Sequence, residues 1–222
     1  MGETPFNPLD KRHLGESVAA ALLERPAGPL PPEKAFVGAG IYAIYYSGEF
    51  PAYGSLAELI RKKTDERPIY VGKAVPPGAR KGGFGLSTAP GPALYSRLRE
   101  HARSIHETNS LRLQDFYCRY LIADDIWIPL GESLLIERFQ PLWNVVIEGF
   151  GIHTPGAGRK KQVCSKWDTL HPGRALARDL PPNPQTASQL EKLVNDFFAG
   201  NVRPTISPRD AVINEEEEQE NP

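Results

Sequence analysis

Apolar and polar positions fall into blocks along the chain, and the blocks differ in period. The first, "LGESVAAALLER", has helical spacing and stops at Pro26, which predicts a helix of about ten residues followed by a Pro/Gly-rich linker. "AGIYAIYYS" (39–47) and "RPIYVGK" (67–73) are short runs rich in Tyr, Ile and Val, and they read as strands. Between them "SLAELIRKK" returns to helical spacing, with Leu56, Leu59 and Ile60 on one side. A loop dense in Gly and Pro follows, and then "ALYSRLREHARSI", where Leu94, Leu98 and Ile105 mark one helical stripe. Arg97 and His101 lie four residues apart on a neighbouring face of that helix.

"FYCRYLIAD" predicts a third strand, and "IPLGESLLIERFQPLWNVV" a helix opened by Gly131 and closed by Pro141. From Gly149 to about Arg178 no period is sustained, so this region reads as loops, where binding residues are commonly carried. "SQLEKLVNDFF" near the end reads as a helix with a capping box from Ser188 to Glu191. These elements divide the chain into an arm and linker (1–37), a core with insertions (38–148), loops and a helix packed as part of the same domain (149–213), and an acidic tail (214–222) expected to be disordered.

Composition adds two constraints. The 222 residues, 40% of them apolar, suffice for one domain with a proper core. No apolar run approaches the ~20 residues needed to span a bilayer, and the start lacks a signal-peptide core, so a soluble, cytoplasmic protein is expected. Cys118 and Cys164 form no metal-binding or disulfide spacing.

The net charge of −1 conceals an asymmetry, because five glutamates lie in the tail and leave 26 basic against 22 acidic residues elsewhere. The bases cluster in two stretches: Lys73, Arg80, Lys81, Arg97, Arg99 and Arg103 in one, Arg159, Lys160, Lys161, Lys166, Arg174 and Arg178 in the other. Such clusters suit a polyanion, and they also suit solvated loops.

Taken singly, the candidate chemical residues have ordinary readings. Tyr42 and Tyr70 can be rings on a half-buried sheet face, Arg97 and His101 a solvated helix face, Glu132 a first-turn acid and Asn144 a turn residue. Their order is more informative. "GIY" at 40–42, "YVG" at 70–72 with Lys73 after it, "YSRLREH" with Arg97 and His101, and Glu132 followed twelve residues later by Asn144 together resemble the GIY-YIG nuclease superfamily. The spacing selects Glu132, not Glu137. Two insertions depart from the common pattern: 27 residues between Tyr42 and Tyr70, and the long loop from Val75 to Pro92. They resemble the type II restriction endonuclease branch.

That resemblance implies an α+β fold built on a small three-stranded antiparallel sheet flanked by helices. It implies a single Mg²⁺ held by Glu132, Arg97 at the phosphate, and Tyr42 as the likelier base with Tyr70 and His101 orienting groups around it. Neighbouring cations, Lys73, Arg97 and the metal, are expected to bring the phenol toward working pH. Asn144 is assigned to positioning, and Lys73 to assistance at the phosphate or at Tyr42. The implied partner is double-stranded DNA, cut by a homodimer at a GC-rich palindrome of the 5′-CCGCGG-3′ kind, with a DNA methyltransferase protecting the host. Arg80, Lys81, Arg159, Lys160, Lys161, Lys166 and Arg174 are the candidate DNA contacts, Arg174 or Arg159 the candidate base readers. The alternatives are a repair or homing nuclease of the same superfamily, and a DNA-binding module with a decayed nuclease fold.

Overall fold

The computed structural model describes residues 7, 9–62, 67–75, 90–152 and 162–202. It is an α+β structure: α1 (Lys11–Leu23), β1 (Gly28–Pro29), β2 (Gly40–Tyr46), α2 (Gly54–Arg61), β3 (Tyr70–Ala74), α3 (Ala93–His106), β4 (Phe116–Ile122), α4 (Ile128–Phe139), α5 (Leu142–Val145), α6 (Lys166–Leu170) and α7 (Ala187–Phe198). None of the helices described is long and apolar enough to cross a membrane.

One sheet, in the order β1-β4-β2-β3 and antiparallel throughout, carries the architecture. The expected sheet had three strands; the fourth, β1, comes from the Pro/Gly-rich linker, where Gly28 and Pro29 pair with Cys118 and Tyr117. A two-residue strand containing proline has no period to read, and an edge is where proline can be tolerated. β2 is central and every one of its residues is buried. This explains its unbroken apolar run, since a strand covered on both faces does not alternate.

Helices α1 and α4 pack on each other and on one face of the sheet, with Gly131 of α4 set against Val18 and Ile41. Gly131 therefore lies inside its helix, which begins at Ile128 with Pro129 in the first turn and ends in a left-handed Gln140 before Pro141. Glu132 is consequently not a first-turn acid. α3 buries Leu94, Leu98 and Ile105, the stripe expected for it, together with Ala102 and His101, against the other face. α1 is longer than expected because Asp10 caps it, accepting from the Arg12 N–H. At α7 the capping box is Thr186 with Gln189, two residues before the expected one.

Beside the sheet lies a hydrogen-bonded aromatic cluster that sequence periodicity does not announce. The Trp143 indole N–H donates to the Tyr53 hydroxyl (3.0 Å), which lies 2.6 Å from Nε2 of His171, whose Nδ1 lies 2.8 Å from Ser110 Oγ. A neutral imidazole protonated on Nδ1 satisfies this whole chain of bonds. Burial, assisted by the nearby Arg174 charge, pushes the His171 pKa down from 6.5 to about 3. The folded state thus refuses a proton that the unfolded chain accepts below about 6.5, so stability is complete above that pH and declines toward pH 3. Urea titrations are expected to show a loss of about 1.4 kcal/mol per pH unit in that window from this group, and the His171→Gln protein to lack that component.

Candidate active site

Antiparallel pairing of β2 and β3 sets Tyr42 opposite Gly72 and Ile44 opposite Tyr70. Tyr42, Tyr70 and Gly72 therefore share one sheet face, while Ile41, Val71 and Lys73 share the other. The motif glycines mark close approaches. A β-carbon at Gly72 would meet the Tyr42 phenol ring carbon at 2.6 Å, and one at Gly40 would collide with the Leu121 carbonyl.

Tyr42 lies flat across the space Gly72 leaves and reaches α3, where its hydroxyl is 2.6 Å from Nε2 of His101. Both residues are completely buried. The Tyr70 ring sits 6.2 Å from that of Tyr42 and 5.2 Å, edge-on, from His101. Beneath His101, Phe150 stacks at 4.5 Å with its plane tilted by only 20°. One helical turn before His101, the Arg97 guanidinium donates through Nη2 to the Gly151 carbonyl (3.2 Å) and through Nη1 to Glu100 (3.4 Å). Its side chain keeps 20% of its surface in solvent, enough to meet a substrate.

On the opposite face, Lys73 Nζ lies 3.1 Å from Glu132 Oε2, the two side chains being 17% and 16% exposed. The acid nevertheless acts on Tyr42 electrostatically, raising its pKa. The site thus wraps around edge strand β3, tyrosines and His101 on one side, the acid and Lys73 on the other. Lys73, expected at the phosphate or at Tyr42, pairs with the Glu132 carboxylate.

At Tyr42 the protein's own groups work against the lowering expected from Lys73, Arg97 and the metal together. Burial first, and then Tyr70, raise its pKa well above the ordinary value of 10; the Arg97 charge works in the other direction and is outweighed, while Glu132 adds to the rise. Desolvation wins because a phenolate in a fully buried site loses its hydration, and the charge and hydrogen bond of Arg97 do not make up for that loss. With the imidazole protonated on Nδ1, the protonated phenol can donate to Nε2 of His101.

Asn144 is a clasp on the sheet edge. Its Oδ1 accepts from the Val71 N–H and its Nδ2 donates to the Val71 carbonyl, both at 2.8 Å, while the backbone N–H of Trp143 donates to the Ile69 carbonyl. A side-chain amide thus does the work of a neighbouring strand along the edge that carries Tyr70, Gly72 and Lys73. Asn144→Leu is expected to cost about 1–3 kcal/mol in chemical denaturation by stripping both partners from Val71. Asn144→Asp, which sets a carboxylate oxygen against the Val71 carbonyl, should cost at least as much.

Among the described residues no cluster of three or more His, Cys, Asp or Glu forms a metal cage. The single carboxylate of Glu132 fits a hard cation that keeps most of its waters, and its position against the Lys73 ammonium shows that it accepts positive charge where it stands.

The candidate DNA contacts divide sharply. Arg80, Lys81, Arg159, Lys160 and Lys161, like the acidic tail, lie outside the described residues. Lys166 is half-buried, with Nζ 3.3 Å from the Val146 carbonyl. Arg174 is corrected outright: its side chain has no exposed surface, and its guanidinium is bonded to Asp168 and to the carbonyls of Gly149, Phe150 and Ile152. It cannot read a base from there. Phe150 and Gly151, which touch the site, were not singled out by sequence; the one signal was an aromatic set between glycines in "GFG".

Compared with known protein families, residues 34–198 match the model described as the Eco29kI GIY-YIG domain. No curated protein matches the chain.

Proposed function

The chain belongs to the Eco29kI family of GIY-YIG domains, a restriction endonuclease family, and on that premise we propose that it is a homodimeric type II enzyme making Mg²⁺-dependent double-strand cuts at a GC-rich palindrome. The observation that carries the chemistry is the 2.6 Å contact between Tyr42 and His101 over Gly72, with Arg97 on the same helix as His101. Glu132 would hold the metal, which when bound supplies Lewis acidity toward the phosphate and the departing 3′ oxygen.

The remaining steps fall to the chain's own side chains. Arg97, tethered by the Gly151 carbonyl and with 20% of its side chain in solvent, presents its guanidinium to the non-bridging oxygens. As water attacks phosphorus and the bond to the 3′ oxygen breaks, Tyr42 takes a proton from the water and passes its own to His101. This couples the two groups, so the phenol never has to ionise alone in a buried site. Lys73 keeps Glu132 in place, Asn144 keeps β3 in place, and Tyr70 orients the water or the phosphate.

The 149–213 region and the loop bearing Arg80 and Lys81 are assigned to DNA contact, with Arg159, Lys160, Lys161 and Lys166 as contacts and a 5′-CCGCGG-3′-type site as the proposed target. A cytoplasmic location and a protective methyltransferase follow from the class. The test is digestion of phage DNA by the purified protein. Discrete bands that require Mg²⁺ are the expected result; a smear would remove the site specificity, and intact DNA with every divalent metal tried would remove the activity.

A further inference from the structure

Asp168 sits in α6, where Ser165 Oγ accepts from its backbone N–H at 3.0 Å and donates to its Oδ2 at 2.6 Å. The carboxylate takes Arg174 as a fork, Nε on Oδ1 at 2.6 Å and Nη2 on Oδ2 at 2.7 Å. The donors left over converge on one turn of backbone: Nη1 reaches the carbonyls of Phe150 (3.2 Å) and Ile152 (2.7 Å), and Nη2 that of Gly149 (2.8 Å). The flat face of the guanidinium lies over the Trp167 indole, 4.5 Å from its centroid.

A buried ion pair gains little net stability over apolar packing, because desolvation offsets the attraction. What this one supplies is geometry. Three carbonyls drawn to one planar cation fix the turn 149–152, and the side chains and carbonyls of that turn end in the candidate site. Phe150 stacks on His101 and meets Tyr70 edge-on at 5.0 Å. The Gly151 carbonyl holds Arg97, and Gly151 itself lies against the Tyr70 hydroxyl. Ile152 is also the last described residue before the segment that carries Arg159, Lys160 and Lys161.

The geometry points to Arg174 as a positioning residue that acts, with Asp168, through the turn 149–152 to hold His101 and Arg97 in their working placement. This rests on the nuclease reading above. Only arginine offers five donors in a rigid fork, so Arg174→Lys keeps the charge facing Asp168 while losing carbonyl bonds and the flat stack on Trp167.

The full-length Arg174→Lys protein is expected to fold, by circular dichroism, and to bind duplex DNA in Ca²⁺ within about threefold of wild type, while its single-turnover cleavage in Mg²⁺ falls about a hundredfold. Hydrogen exchange should show lost protection at 149–152 with β2 and β4 unchanged, and the His101 ring resonances should move. Wild-type cleavage together with wild-type exchange at 149–152 would overturn the inference, as would a rate loss that matches the unfolded fraction and vanishes on cooling. If Arg174→Lys does not fold, Asp168→Asn, which keeps an acceptor for Nε, is read by the same measurements. A wild-type protein that cuts no DNA would defeat the nuclease reading alone, because exchange and the His101 resonances need no substrate.

Discussion

Glu132→Ala is expected to leave a folded protein that still binds its DNA and no longer cuts it, with cleavage reduced at least about a thousandfold, since metal-derived charge stabilisation is worth several kcal/mol. The acid sits on α4 against Lys73 with 16% of its side chain exposed, outside the buried apolar core. The pair is mostly buried, so leaving the Lys73 ammonium without its carboxylate is expected to cost more than breaking a surface ion pair, up to about 3 kcal/mol. Glu137 is the built-in control. It is exposed, five residues further along the same helix and so about 140° around it, and Glu137→Ala should cut normally. Activity lost in Glu137→Ala and kept in Glu132→Ala would mean that the acid has been assigned in the wrong register. Single-turnover cleavage in Mg²⁺ beside duplex binding in Ca²⁺ separates the two effects.

Tyr42→Phe carries the other large effect. A positioned proton acceptor contributes about 10²–10⁴ in rate, and the phenylalanine ring fills the same space over Gly72, so cleavage should fall by that factor. The hydroxyl is buried and only 2.6 Å from His101, which means its removal is not silent for folding. A loss of about 1–3 kcal/mol is expected, because the imidazole nitrogen loses its partner away from water. Rates measured well below the melting transition distinguish the roles: a chemical defect persists there, whereas a packing defect recovers. Cleavage within a few-fold of wild type under those conditions would return Tyr42 to the core.

The geometry of the candidate site was legible in the sequence wherever it depended on short-range order. Two strands of known side-chain period place Tyr42, Tyr70 and Gly72 on one face once they pair, and the spacing of Arg97 and His101 needs only a helix. What was not legible depends on contacts distant in sequence. Phe150 meets His101 across 49 positions of chain, from a stretch with no period, and nothing local to "TLHPGR" says whether its arginine faces DNA or the core. Burial decided that question, as it decided the sign of the Tyr42 shift: a list of nearby cations predicts a lowered pKa, and only the closed packing around the ring reverses it. The capping box failed for a simpler reason. "TASQ" and "SQLE" both satisfy the same four-residue pattern, and the chain uses the first.

The long connection between the two tyrosine strands sets a limit on how this nuclease could be pared down. A chimaera that joined Tyr46 to Ile69 by a tight hairpin would keep every motif residue and look like the common form of the superfamily. It would also discard Tyr53, whose hydroxyl joins Trp143 to His171, and leave an indole N–H and an imidazole nitrogen facing apolar walls. The insertion is therefore a graft that has grown into its host, and no pared-down scaffold can leave the connection out.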